Sequence, residues 1–335
     1  MENILHPRTN MVDAAVQTES FSEIIDKISE QQREIESLKR LLGETKFVPE
    51  NIFDDVKMRA LTSFSRERFF MLFSFLNIQK DLEKNSSLSP VHLFFLFLVK
   101  LRTGITNEFL SILFNISDST VSRYFNFVVG VLHTKLGTLK IFPDKAMVHD
   151  SMPRNFLKEN SECRIIIDCT EFPIQKPNSP SEQQMTFSHY KNKNTLKGLI
   201  GIMPSGAISF ISDLYCGSIS DTEIFLKSGL LNLLEQGDVV MADKGFLIEK
   251  ELLKKGCHLK QPIFLKDKIQ FEANEMVDNC KLSNKRVTVE RAISRIKQYK
   301  YFEGSIPYTA LHSANSVFFV TCMLSNFHDP LIKKG

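Results

Sequence analysis

At 335 residues the chain is long enough for about two globular units with a short appendage. Its 43% hydrophobic and 24% charged residues support a substantial core and exclude an intrinsically disordered protein. The longest apolar stretch, Val91 to Val99, contains His92 and stops at Lys100, short of the about 18 apolar residues a bilayer span needs, so no membrane partner is expected. The first residues contain no apolar signal core, so no secretory leader is expected. The cysteines, Cys163, Cys169, Cys216, Cys257, Cys280 and Cys322, form no C-x-x-C pair, which argues for reduced thiols rather than a zinc module or a disulfide framework. A net charge of +3 is bland, so any basic binding surface must be local.

Residues 1–20 are polar and aperiodic and read as a flexible arm. From Phe21 the pattern changes to a coiled-coil-like helix over residues 21–45. Ile28, Ile35 and Leu42 fall seven apart, Ile24 and Leu38 occupy intervening positions, and Gln31 interrupts the seam. Such a seam serves either a homodimer or higher oligomer, or a single amphipathic helix folded back on the body. Residues 46–87 read as a helical subdomain whose many Phe side chains are core material, with Ser65 placed to cap a helix.

Residues 88–137 carry a helix-turn-helix pattern. Ser89-Pro90 starts one helix, Thr106 caps a second over Asn107 to Phe114, and Ser117 caps a third beginning at Asp118. Asn115 stands in the turn, where the left-handed conformation is needed. Ser119, Thr120, Ser122 and Arg123 would then face base edges or phosphates of double-stranded DNA. The competing reading is a three-helix scaffold with no DNA contact.

Beyond Asp150 strands alternate with helices, which predicts an α/β domain over residues 150–330, a mixed sheet flanked by helices. Arg164 to Asp168 and Asp238 to Asp243 are aliphatic strands that each end in a carboxylate. Leu196 to Met203 and Ala207 to Leu214 form a hairpin around Pro204-Ser205-Gly206, and Ser220 caps a helix expected to run to Leu234. If the strands ending in Asp168 and Asp243 are neighbours, their carboxylates converge, and a divalent cation such as Mg²⁺ or Mn²⁺ relieves the repulsion. A helix over about 286–299 buries Val289, Ile293 and Ile296 and carries Glu290 beside that stripe. Glu290 is the one acid among seven basic residues between Lys281 and Lys300, which suits a place next to metal and phosphate or, more simply, a local interaction with Arg286 or Ser294. Arg286, Arg291, Arg295 and Lys297 are the candidate backbone contacts.

The ordered motifs Ile-Ile-Asp168-Cys-Thr-Glu171, Thr186-Phe-Ser-His-Tyr190-Lys, Gly217-Ser-Ile-Ser-Asp221, Met241-Ala-Asp243-Lys-Gly-Phe246 and Val289-Glu290-Arg-Ala-Ile resemble the DDE superfamily endonucleases of Harbinger/PIF-type DNA transposons. The similarity covers about residues 88–327 and is greatest to the branch that often carries an amino-terminal THAP finger, which this sequence lacks. The resemblance implies an RNase H-like catalytic fold preceded by an all-α helix-turn-helix domain. It also implies a catalytic and metal-binding triad of Asp168, Asp243 and Glu290, two Mg²⁺ or Mn²⁺ ions, and cut-and-paste transposition at terminal repeats. Asp221 matches a further acidic position and reads first as a helix amino-terminal residue. Gln261-Pro262 replaces the more usual Ile-Pro-Pro-type segment. With the finger absent, end recognition falls on the helix-turn-helix or on a second element-encoded or host DNA-binding protein. The expected location is the nucleus, or else the cytoplasm. The alternative function is a domesticated DNA-binding or chromatin-associated protein that no longer cleaves, with a scaffold role behind it.

Overall fold

The computed structural model describes residues 11–44, 46–83, 86–261 and 287–332. Arg286, Cys280 and the basic stretch around Lys281 and Lys285 lie outside the described residues. The chain divides into two compact units, Met1–Asn51 and Ile52–Gly335.

The first unit is built on one long helix, α1 (Met11–Glu44), followed by a 3-10 turn, Pro49–Asn51. Residues 11–20, expected as part of a flexible arm, are helical. The physical reason is propagation: once the segment from Phe21 is helical, adding Ala14, Ala15, Gln17 and Glu19 costs little, because nucleation is already met. Ile24, Ile28, Ile35 and Leu38 are each 50–57% exposed, so the seam is not covered by its own unit.

The second unit begins with three helices, α2 (Asp55–Thr62), α3 (Arg66–Leu76) and α4 (Gln79–Leu82). Ser65 caps α3 by accepting from the Arg68 N–H, as the sequence suggested. The next three are α5 (Pro90–Thr103), α6 (Asn107–Phe114) and α7 (Asp118–Gly137). Every residue from Leu93 to Val99 in α5 is fully buried, because neighbours surround the helix. Phe69 and Phe94 lie 5.4 Å apart, and Phe97 meets Phe125 of α7 at 5.5 Å, so Phe64 and Phe69 are core as expected, whereas Phe53 and Phe75 are exposed because they fall on the outer side of this body.

Two short helices, α8 (Lys145–Ser151) and α9 (Arg154–Asn160), lead into the sheet. Its first strand is β1 (Cys163–Pro173), followed by α10 (Pro180–Thr186), β2 (Phe187–Ser188), β3 (Lys193–Ile202) and β4 (Ile208–Cys216). Then come α11 (Asp221–Lys227), α12 (Leu230–Leu233), β5 (Val239–Met241), α13 (Glu249–Lys254) and β6 (His258–Lys260). A helix over residues 287–297 (α14) and α15 (Leu311–Ser325) complete the fold. The single helix expected from Asp221 to Leu234 is two, because Gly229 takes a left-handed φ of 80° and breaks it.

Strand β3 pairs antiparallel with both β1 and β4, while β5 runs parallel to β1 and β6 parallel to β5. This is the RNase H-like arrangement: an antiparallel three-strand meander extended by two parallel strands. One face of the sheet, with Ile165, Ile167, Leu199 and Val240, packs on Ile224 and Phe225 of α11 and Leu252 of α13. On the other face Phe172 meets Phe318 of α15 at 5.5 Å, and Gly198 lies so close to that ring that a Cβ would overlap it.

The helical body and the sheet belong to one unit and share a core. Phe125 of α7 stacks on Tyr301 at 5.4 Å, and Arg102 donates to the Gln298 carbonyl at 2.6 Å. Gly104 ends α5 at φ 65°, and a Cβ there would stand 2.6 Å from the Lys300 carbonyl oxygen, so only glycine permits this approach.

His328 is part of the same junction. It stacks on Phe64 with ring centroids 4.6 Å apart, and its Nε2 lies 2.9 Å from the Tyr299 hydroxyl. Burial, reinforced by the charges of Arg295, Arg68 and Arg102, lowers its pKa from 6.5 to about 4. Between these values the unfolded chain binds the proton and the folded chain does not. This contribution is therefore complete above pH 6.5 and lost as pH falls to about 4, an effect of roughly 3 kcal/mol. Unfolding free energies measured by denaturant titration should fall by about that much between pH 7 and pH 4, and His328→Phe should reduce the slope. An unchanged slope in the variant would show that His328 stays neutral for no energetic consequence.

Candidate active site

The parallel pairing of β1 with β5 sets the site. Ile166 is opposite Met241, and Asp168 and Asp243 each lie two residues further on: Asp243 just past the carboxyl end of β5, and Asp168 in the middle of β1, which does not end at its carboxylate as expected but runs on to Pro173 because residues 168–173 pair with β3. β5 is only three residues long, so β1 continues past it and leaves an opening beyond Met241. This is the crevice where ligands bind in open α/β sheets, at the point where strand order reverses. Both carboxylates are half-buried, and each accepts the N–H of the following residue: Cys169 to Asp168 at 2.8 Å and Lys244 to Asp243 at 2.7 Å.

The turn carrying Asp243 is held from two sides. The Gln261 side-chain amide donates to the carbonyls of Asp243 and of Phe246, the latter at 2.8 Å. The Thr222 hydroxyl accepts the Leu247 N–H at 2.9 Å, and Gly245 passes so near Asp221 that a Cβ would stand 3.0 Å from its Oδ2. Gln261, noted in the sequence as a departure from the family pattern, thus has a structural task.

Asp221 opens α11 after the Ser220 cap, as expected, and has a further role. On β3, the Lys197 ammonium lies 3.3 Å from Asp221 and 3.4 Å from Glu171, and it donates to the Ile219 carbonyl at 3.0 Å. Thr195 donates to the other Glu171 oxygen at 2.8 Å. Burial alone would lower the Lys197 pKa, but Asp221 and then Glu171 outweigh it and raise it. The thiol of Cys169 is pushed far up, first by burial and then by the charges of Asp221 and Asp168, so it is no nucleophile. The sequence motifs contained Glu171 but gave no sign of Lys197, because its partners come from strands and a helix far apart in the chain.

On α14, Val289, Ala292, Ile293 and Ile296 are buried, while Glu290, Ser294 and Lys297 line an exposed stripe. The pKa of Lys297 is lowered by burial of its ammonium and then by Lys191, and is partly restored by Asp168 and Glu171. The end of α14 therefore stands beside β1. Arg291 is exposed. Arg295 points elsewhere: it is half-buried, approaches the Ser325 carbonyl at 3.5 Å, and lines a separate cleft of about 1100 Å³ with His328 and Asp329.

The donor chemistry of Asp168 and Asp243 suits a hard divalent cation, which prefers carboxylate oxygen. Glu290 is exposed on α14, and among the described residues no group of three or more His, Cys, Asp or Glu side chains lies close enough to hold a metal ion.

In the helical body, α6, the turn at Asn115 (φ 50°) and α7 form the anticipated helix-turn-helix. Ser119 and Arg123 are exposed, whereas Thr120 and Ser122 are half-buried. The Ser117 hydroxyl caps α7 and lies 2.8 Å from the Thr120 hydroxyl and 3.1 Å from that of Ser119, so both are tied into the cap. The guanidinium of Arg123 lies over the Tyr124 ring at 5.4 Å, and Tyr124 in turn accepts the Ser87 N–H at 3.0 Å.

The fold is that of an RNase H-like domain. Residues 167–326 match the DDE superfamily endonuclease family, and residues 86–138 match the helix-turn-helix of DDE superfamily endonuclease. The chain therefore carries a DDE superfamily endonuclease domain with its helix-turn-helix domain ahead of it, the pair found in a transposase-type DNA nuclease. No curated protein and no solved structure matches the chain.

The side chains of Lys197, Glu171 and Asp221 are 13%, 7% and 30% exposed, so removing the ammonium strands two poorly solvated carboxylates. Lys197→Met should cost about 3 kcal/mol or more in denaturant unfolding, and adding Glu171→Gln should restore much of it. Because the Lys197 pKa is raised, this contribution is complete below its unfolded value of about 10.4 and fades only above that. Additive losses in the double variant would mean that the ion pairs are not coupled.

Proposed function

We propose that this protein is a divalent-metal-dependent DNA transposase of the Harbinger/PIF branch, cutting at element ends and joining 3′-hydroxyl ends to target DNA. The observation that carries the reading is the β1–β5 register, which sets Asp168 of β1 and Asp243, just past β5, at matching positions on neighbouring strands. Glu290, on the exposed stripe of α14 that ends at Lys297, is the third carboxylate of the set. We assign Asp168, Asp243 and Glu290 as ligands of two Mg²⁺ or Mn²⁺ ions. The chemistry such ions supply when bound is activation of the attacking oxygen and neutralisation of charge on the leaving one.

The chain's own residues do the positioning. Gln261 and Thr222 fix the turn behind Asp243, and Lys197 holds Glu171 and Asp221 in an internal ion pair, away from the reacting phosphate. Lys297 offers a cation to the phosphate backbone beside Asp168, with Arg291 further along the helix. Ser119 and Arg123, at the exposed start of α7, with Thr120 and Ser122 behind them, supply sequence preference for terminal repeats. The nucleus is the compartment where this activity meets its substrate.

A second reading, a DNA-binding protein that does not cleave, draws on the helix-turn-helix match over residues 86–138. Nicking of plasmid DNA in Mn²⁺ separates the two. Asp168→Asn, Asp243→Asn and Glu290→Gln should each abolish nicking while leaving DNA binding largely intact. Substantial activity in one variant removes that residue from the site. An inactive wild-type protein that still binds DNA establishes the second reading.

Joining two element ends calls for two catalytic units, and the half-exposed seam of Ile24, Ile28, Ile35 and Leu38 offers a self-association surface. Deleting residues 1–45 should reduce the number of protomers per particle, obtained from light-scattering mass at matched concentration divided by each protein's own chain mass. If both proteins are monomers, or both are equally dimeric, the dimer contact is not this helix.

A further inference from the structure

One concavity of the second unit has no place in the site as described so far. It measures about 530 Å³ and is lined by Arg102 from the end of α5, Lys191 from the β2–β3 turn, Lys193 from the start of β3, Lys297 from α14, and Lys300 from the 3-10 turn that follows. These five cations come from three segments far apart in sequence, and only Lys297 and Lys300 belong to the basic run seen in the sequence. The acids on its wall are Glu171 and Glu303, and Glu171 is already engaged by Lys197 and Thr195. The cations are close enough for Lys191 to depress the pKa of Lys297, a like-charge cost that a bound anion would relieve. The groove lies beside the strand that carries Asp168, since Lys297 on its wall is close enough to Asp168 to feel its charge.

At the rim stands Tyr190, 84% exposed and the most exposed large apolar side chain among the described residues. It is held on a formed turn: Asn192 adopts φ 51°, and the Lys191 N–H donates to the Ser188 hydroxyl at 3.2 Å. The Lys191 ammonium lies 4.5 Å from the ring centroid and covers one side of it. An aromatic ring presented to solvent beside a row of cations is the arrangement that binds single-stranded nucleic acid, where phosphates follow the charges and an unpaired base stacks on the ring. A paired base offers no free face to such a ring.

We propose that this groove binds the unpaired strand of DNA next to the cleavage site, with its phosphates along Arg102, Lys191, Lys193, Lys297 and Lys300 and one base stacked on Tyr190. The enzyme then works on DNA whose strands have separated beside the scissile bond. The inference rests on the DNA-nuclease reading and places a strand within it.

Fluorescence polarisation of the full-length protein in EDTA tests the groove without any cleavage. The probes are a fluorescein-labelled oligothymidylate of about 12 nucleotides, close to the footprint of one such binding fold, and the matching duplex. Tyr190→Ala should weaken binding of the single strand by about 5- to 100-fold and leave the duplex within about twofold. Tyr190→Phe should keep the stacking and bind like the parent. Lys191→Glu with Lys193→Glu should weaken single-strand binding and flatten its salt dependence. Unchanged binding by Tyr190→Ala, or equal losses on single strand and duplex, would overturn the proposal. Because no metal is present, that result is independent of the triad variants, whose nicking assay tests the nuclease reading by itself.

Discussion

Two strands, β1 and β5, lie parallel and in register at Ile166 and Met241, and each carries an aspartate two residues beyond. Two carboxylates at matching positions on adjacent strands repel unless a cation lies between or near them. The surroundings meet that constraint in several ways. β5 stops after Met241, which opens the crevice, and Gln261 and Thr222 fix the turn that carries Asp243. Lys297 brings a positive charge to the β1 side.

A second set of charges lies close by and is managed differently. Glu171 and Asp221 share the Lys197 ammonium, an internal cation that keeps two more acids paired within the fold. Replacing a protein cation by bulk water is impossible at this depth, so the lysine sets the geometry of the wall behind the site. Sheet alternation separates the two groups: Asp168 shares the face of Ile166, whereas Lys197 shares that of Leu199, which packs on α11 and α13.

The helix-turn-helix is not a module on a tether. α5 is buried all round, α7 reaches Tyr301 through Phe125, and Gly104 brings the end of α5 against the Lys300 carbonyl. The helix-turn-helix and the sheet are thus joined through a common core. The basic groove lies at this same junction, since Arg102 belongs to the helical body and Lys191 to the sheet.

Much of this was legible in the chain itself. The caps at Ser65, Ser89, Thr106, Ser117 and Ser220 are local chemistry, an oxygen side chain meeting a free N–H a few residues on, and each forms where the residue stands. The buried stripe of Val289, Ile293 and Ile296 and the aliphatic strands before Asp168 and Asp243 are likewise periodic signals that neighbours only reinforce. The helix break at Gly229 and the amino-terminal extension of α1 escaped that reading, because a left-handed glycine and helix propagation leave no periodic mark. Tertiary structure alone decided which cations gather. Arg102, Lys191, Lys193, Lys297 and Lys300 meet because α5, the start of β3 with the turn before it, and α14 are packed together, while Arg295, two residues from Lys297 and so on the opposite side of α14, is turned into another cleft. Charge along a chain is set by sequence, but charge at a point in space is a sum over elements that only packing brings within reach.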